Sequence, residues 1–160
     1  MKILSVDPGY ERIGIAIIEH LPKQKDTLLY SECFKTKATL HFHERLTCIG
    51  NQIEDVIKKY NPKVLAIEKL YFTSNQKTVM GVAEARGVIL YSASRNGLDI
   101  FEYTPPQIKV AVTGYGRATK RMVISMVEKL IEIKTKTNSD DELDAIAIGI
   151  TCLACERLPY

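Results

Sequence analysis

Long apolar runs are missing from this chain. No stretch reaches the roughly 18 residues that a membrane helix needs, and the opening MKILSVDPG is too short and too acidic for a secretory signal. A cytoplasmic protein with no membrane attachment is the expectation. Repeats and low-complexity segments are lacking too, and 160 residues with 46% hydrophobic content suffice for one domain, 1–160, with a full core and no staples. Cysteine is sparse and poorly spaced. Cys152 and Cys155 form a C-x-x-C inside an apolar helical pattern, while Cys33 and Cys48 supply no second pair. A zinc ribbon or redox motif needs better context, and reduced, buried thiols suit an intracellular chain. Of the three histidines, His41 and His43 flank Phe42 at a spacing that does not share a helix face, and His20 ends a strand. None is expected in a mechanism.

Net charge is also small, at +3, but it is unevenly spread. Residues 105–137 carry Lys109, Arg117, Lys120, Arg121, Lys129, Lys134 and Lys136 against Glu128 and Glu132. Residues 138–160 reverse the balance, with Arg157 alone against Asp140, Asp141, Glu142, Asp144 and Glu156. A basic surface beside an acidic pocket suits an anionic polymer held near a metal.

The apolar periodicity predicts strands at 2–7, 14–18 and 28–36, a helix over 40–60, a strand at 64–68, a helix over 78–95 and a strand at 98–103. Short helices at 105–112 and 119–133 follow, then the polar linker KTKTNS and a last helix over 140–156. This order, three antiparallel strands and then βα units, is an α/β layer pattern. With acids closing the first and fourth strands, it matches a ribonuclease-H-like fold: a mixed five-stranded sheet flanked by helices.

Asp7 and Glu68 each end an apolar strand, and Asp141 and Asp144 stand three apart at the head of the last helix, roughly 5–6 Å apart on one face. Carboxylates packed this way repel: a like-charge pair at about 4 Å costs on the order of 4 kcal/mol at an effective dielectric of about 20. A divalent cation relieves that cost, which points to metal-dependent phosphoryl transfer. Asp140 and Glu142 compete with Asp141 by adjacency.

The segments VDPG with Arg12 and Gly14, AIEKLYF, GVAEARGV, YTPPQIKVAVTGYGRATK and DDELDAIAIGIT come in order over nearly the whole chain. On these pieces the sequence resembles the RuvC-type Holliday junction resolvases. The resemblance implies a structure-specific endonuclease of recombination and repair that nicks four-way DNA junctions in pairs. It implies that Asp7, Glu68, Asp141 and Asp144 are the metal-binding catalytic acids, that Tyr71 contacts junction bases with Phe72 as the neighbouring alternative, and that Lys109 and Lys120 lie at the DNA. Arg117 and Arg121 join them as expected phosphate contacts. Magnesium is the expected cofactor, two ions per site, with manganese able to substitute. Asp7 would bridge the ions, Glu68 and Asp144 would complete one site each, and Asp141 would complete a site or orient the attacking water. Two cuts in a twofold-symmetric junction call for a homodimer, with the 78–95 helix and its Val79, Val82, Ala83, Ala85 and Val88 as candidate interface. The family context also allows a branch-migration helicase complex as partner. The rival readings are a related nuclease acting on an RNA–DNA hybrid or a simple nick, an actin-like ATPase, against which the short chain argues, and a DNA-binding module with a dead site.

Overall fold

The computed structural model describes residues 1–70, 76–133 and 139–156, apart from the side chains of 76–78. Its strands are β1 (Lys2–Asp7), β2 (Arg12–Glu19), β3 (Thr27–Lys35), β4 (Val64–Glu68), β5 (Asp99–Tyr103) and β6 (Glu132–Ile133). The helices are α1 (Phe42–Tyr60), α2 (Gln76–Arg95), α3 (Pro105–Thr113), α4 (Lys120–Leu130) and α5 (Asp140–Cys155). They build one sheet in the order β5-β4-β1-β2-β3-β6. β1–β2 and β2–β3 pair antiparallel, and β1–β4, β4–β5 and β3–β6 pair parallel.

Among the described residues the sheet has six strands rather than the five expected, and the helix expected over 119–133 stops at Leu130. Buried Ile131 leaves the helix in an extended conformation, and Glu132 N–H donates to Asp26 O at 2.8 Å, adding two residues to the β3 edge. The thiol expectation also changes: all four cysteines are free, but only Cys152 is buried, Cys155 being exposed at the end of α5. Among the described residues, no helix is long and apolar enough to cross a membrane.

Alternation along the strands sorts side chains onto two faces. Leu4, Val6, Ile13, Ile15, Ile17, Leu65 and Ile67 face α1 and α2. Ile3, Ala16, Ile18, Val64 and Ala66 face α3, α4 and α5. Full burial of each large aliphatic side chain is worth about 1.5–3 kcal/mol, so both faces fix the register of the central strands.

α5 lies unusually close to the second face. A Cβ on Gly14 would sit 2.0 Å from Asp141 O, and one on Gly149 would sit 2.5 Å from Ile18 Cδ1. These two glycines let the helix settle onto β1 and β2. Its start is fixed by Ser139, whose Oγ accepts from Glu142 N–H at 3.3 Å, while Asp140, Asp141 and Glu142 suit the positive end of the helix dipole.

Candidate active site

β1 and β4 run parallel with Val6 beside Ile67, so Asp7 and Glu68 end neighbouring strands. By alternation both belong to the α5 face. α5 brings Asp144 to the same place: Asp7, Glu68 and Asp144 line one cavity of about 300 Å³. Lys109 from α3 and Lys120 from α4 share its lining, with Ile108, Val123 and Ala147 as apolar wall. The acids thus stand in a partly desolvated cleft.

Burial, followed by the charges of Glu68, Asp144 and Asp141, pushes the Asp7 carboxyl up to about 7, against an opposing pull from Lys120. Burial and then Asp144 push Glu68 up to about 7 as well. Both groups hold protons in the folded protein that the unfolded chain has already lost. Their contribution to stability is therefore complete below about pH 4 and is lost as pH rises through about 7. The melting temperature of metal-free protein should fall between pH 5 and pH 8 by about 10 °C, since two groups each lose about 1.4 kcal/mol per pH unit at about 2–4 °C per kcal/mol for a domain of this size. Excess magnesium should restore it at pH 8, and Asp7→Asn with Glu68→Gln should flatten the profile. A metal-free Tm that rises over that window, or a double variant that keeps the fall, defeats this account.

The head of α5 distributes its acids. Lys120 Nζ lies 2.9 Å from Asp144 Oδ2 and 3.3 Å from Asp140 Oδ2. Asp141 lies beside the cavity, with Oδ2 paired to the Arg12 guanidinium and 3.3 Å from Cys33 Sγ. Glu142 is buried and turned to β3, accepting from Ser31 Oγ at 2.6 Å and from Ser139 Oγ at 3.1 Å. That removes Glu142 from the choice left open by adjacency, and Asp140 is largely exposed on the outer side.

Among the described residues, no three acidic, histidine or cysteine side chains close around a single point, since Asp141 and Asp144 each lean to a cation of the chain. The donor set nevertheless fits a hard divalent cation in kind. All its ligating atoms are carboxylate oxygens, and two of the carboxyls are raised by burial and, after it, by neighbouring carboxylates.

Of the expected DNA contacts, Lys109 and Lys120 are brought to the acids. Arg117 is exposed on the α3–α4 connection, and Arg121 lines a separate depression with Thr119, Met122 and Ser125. Tyr71 and Phe72 lie outside the described residues. His41 and His43 stack at the start of α1, and His20 is half-buried against Asp26 at 2.7 Å. Sequence reasoning missed a supporting role for Arg86: its Nε donates to Glu68 O at 3.1 Å and its guanidinium pairs with Glu102, pinning the end of β4. Both partners are distant in sequence, so only an arginine on a helix facing a strand end hinted at it.

Comparison with known proteins gives a consistent picture. The profile of the family described as "Crossover junction endodeoxyribonuclease RuvC" matches residues 3–152. A protein of that name from Halothermothrix orenii is 43% identical over 94% of this chain and 90% of its own length. Its namesake from Clavibacter michiganensis is 37% identical over 94% of this chain and 74% of its own. Among solved structures, T. thermophilus RuvC in complex with a Holliday junction substrate superposes with a TM-score of 0.89 at 28% identity, over 96% of this chain and 93% of that one. The yeast mitochondrial Holliday junction resolvase superposes at 0.69 and 13% identity, over 93% of this chain and 76% of that one, a likeness of fold.

Proposed function

The chain belongs to the RuvC family of crossover junction endodeoxyribonucleases, and from that premise we propose that residues 1–160 form one nuclease domain that resolves four-way DNA junctions by paired symmetric nicks. The observation that carries the reading is the meeting of Asp7, Glu68 and Asp144 in one cleft beside Lys109 and Lys120. Asp7, Glu68 and Asp144 would hold divalent metal, and Asp141 would complete a site or orient the attacking water. Magnesium is the proposed ion, because it suits carboxylate oxygens and retains bound water. When bound, such ions supply an ionised water and neutralise charge on the scissile phosphate.

The chain's own groups do the rest. Asp7 and Glu68, at the ends of two hydrogen-bonded central strands, give the cleft a rigid floor. Lys109 places positive charge where a backbone phosphate enters. Lys120 pairs with Asp144 and Asp140 in the free protein, and its ammonium would be available to a backbone phosphate if Asp144 held a metal ion. Ile108, Val123 and Ala147 keep one wall dry, which strengthens each of these charge contacts.

A homodimer would present two such clefts to the junction. Met80, Ala83, Glu84, Gly87 and Tyr91 form an exposed stripe on α2, with Met80 and Tyr91 each 64% accessible, whereas Ala85 is in the core and leaves the list of interface candidates. A buried interface tyrosine is worth about 2 kcal/mol or more, so Tyr91→Arg should weaken the dimer by at least about 30-fold. Light scattering at micromolar protein should then report a monomer, and the two nicks should lose their pairing. An unchanged dimer moves the interface off α2.

The decisive experiment is cleavage of an end-labelled synthetic four-way junction with magnesium or EDTA, beside linear duplex and RNA–DNA hybrid. Paired nicks in the junction alone, dependent on metal, bear the proposal out. Cutting of the hybrid instead keeps the acids and changes the substrate; tight junction binding without cutting leaves a binding module.

A further inference from the structure

The connection from α3 to α4 is short and closed at both ends. Gly114 caps α3 in the left-handed region, at a φ of 77° that glycine adopts without strain, and its N–H donates to Val110 O at 2.8 Å. Thr119 caps α4, its Oγ accepting from Met122 N–H at 3.4 Å. Between the caps, Tyr115 N–H donates to Thr113 Oγ at 3.1 Å, and Tyr115 O accepts from Ala118 N–H at 3.0 Å. Ala118 is buried, and a Cβ on Gly116 would come within 3.3 Å of Val110 Cγ2, so the loop packs back onto α3. The backbone around Tyr115 is thus fixed, yet the residue is 53% accessible. Tyr10, Tyr30 and Tyr60 pair their rings within the chain, and Tyr103 is buried with its hydroxyl on Glu156. Among the described residues Tyr115 has no ring partner and no hydroxyl bond.

The loop joins the two helices that bring Lys109 and Lys120 to the acids, and Arg117 is exposed on it. Thr113 Oγ, which accepts from Tyr115 N–H, donates to Lys109 O at 2.7 Å and so ties the loop to the lysine's own residue. Lys120 directly follows the Thr119 cap. A strand held by both lysines therefore runs beside this loop. Phosphate contacts fix the register of DNA, and an aromatic next to them adds a contact to a base, since every base has a π-face. A ring on a fixed backbone also loses little freedom on binding. We infer that Tyr115 is a DNA-binding residue that stacks on a base at the branch point of the junction, beside the strand that Lys109 and Lys120 hold. The branch point is where the continuous base stack of a duplex is interrupted, so the contact selects junction over linear DNA. The inference rests on the junction-resolving reading. Tyr115 is outside the lining of the acid cleft, which confines its part to binding.

The test compares wild type, Tyr115→Ala and Tyr115→Phe for binding of a synthetic four-way junction and of linear duplex in EDTA, and for the cleavage rate at saturating protein with magnesium. Tyr115→Ala should weaken junction binding by about 5–150-fold, the range that base–aromatic stacking covers. Duplex binding, the cleavage rate at saturation and the Tm should stay at wild-type values, as for other exposed positions. The salt slope should hold as well, because no cation is removed. Tyr115→Phe should bind like wild type, since the ring makes the stack. 2-Aminopurine placed in turn at each base flanking the branch point should find the partner: at one position its fluorescence change on binding is lost in Tyr115→Ala and kept in Tyr115→Phe. Unchanged junction affinity in Tyr115→Ala, an equal loss on linear duplex, or a fall in Tm that matches the loss of binding overturns the inference. So does a Tyr115→Phe variant as weak as Tyr115→Ala, which would give the contact to the hydroxyl. Wild type that binds junction no tighter than duplex defeats the junction-resolving reading itself, whereas a clear preference for junction that survives Tyr115→Ala defeats only the role of Tyr115.

Discussion

Asp7→Asn should abolish junction cleavage and, in metal-free protein at pH 8, raise the melting temperature. The two effects have one cause. Asp7 ends the central strand, hydrogen-bonded on both sides, and its carboxyl sits among Glu68, Asp144 and Asp141, pushed up to about 7 by burial first and these charges next. Asparagine keeps the shape and removes the charge. A metal ion contributes several kcal/mol to such a reaction, and at about 1.4 kcal/mol per tenfold the rate should fall by about 10³-fold or more. Without metal, the same charge is a liability at pH 8, and losing it should raise Tm by a few degrees, at about 2–4 °C per kcal/mol. Junction binding, carried by the basic side chains, should survive largely intact. An aspartate serving only the fold would show the opposite: a lower Tm with residual cutting. A variant that cuts at the normal rate would sink the assignment.

That the acids were legible in the sequence has a physical reason. β1 and β4 are buried on both faces, so they read as apolar runs, and each run stops where a charge first reaches the sheet edge, at Asp7 and at Glu68. The three-residue step from Asp141 to Asp144 is likewise local. What the sequence hid is non-local. Asp141 pairs with Arg12 across 129 residues of chain, and no spacing rule links them. The choice among Asp140, Asp141 and Glu142 depends on how α5 is rotated, and the contact with Ser31 turns Glu142 toward β3, away from the cleft. β6 escaped because two residues carry no period, and its pairing is supplied by the β3 edge. Arg86 reads as one more surface charge on α2 until β4 and β5 are placed beside it.

Gly14→Ala should be nearly as damaging to cleavage as loss of a ligand while leaving the protein folded. The added Cβ would stand 2.0 Å from Asp141 O and 2.8 Å from its carbonyl carbon, both backbone atoms with no rotamer to give way. Opening that contact to 3.0 Å requires about 1 Å of displacement. β2 is hydrogen-bonded to β1 on one side and β3 on the other, so the freer partner, the first turn of α5, moves. That turn carries Asp141, with Asp144 one turn on. A shift of about 1 Å at a reacting centre costs on the order of 100-fold, and overpacking costs about 1–3 kcal/mol of stability. Gly149→Ala provides the contrast. There the obstacles are Ile18 Cδ1 and Ser5 Oγ, at 2.5 and 2.8 Å, side-chain rather than backbone atoms, and the site lies more than a turn beyond Asp144. It should lower Tm and leave kcat near wild type. Equal kinetic damage from both substitutions would mean that α5 shifts as a rigid rod; a normal kcat in Gly14→Ala would mean that β2 yields, and that the placement of the two carboxylates does not depend on this contact.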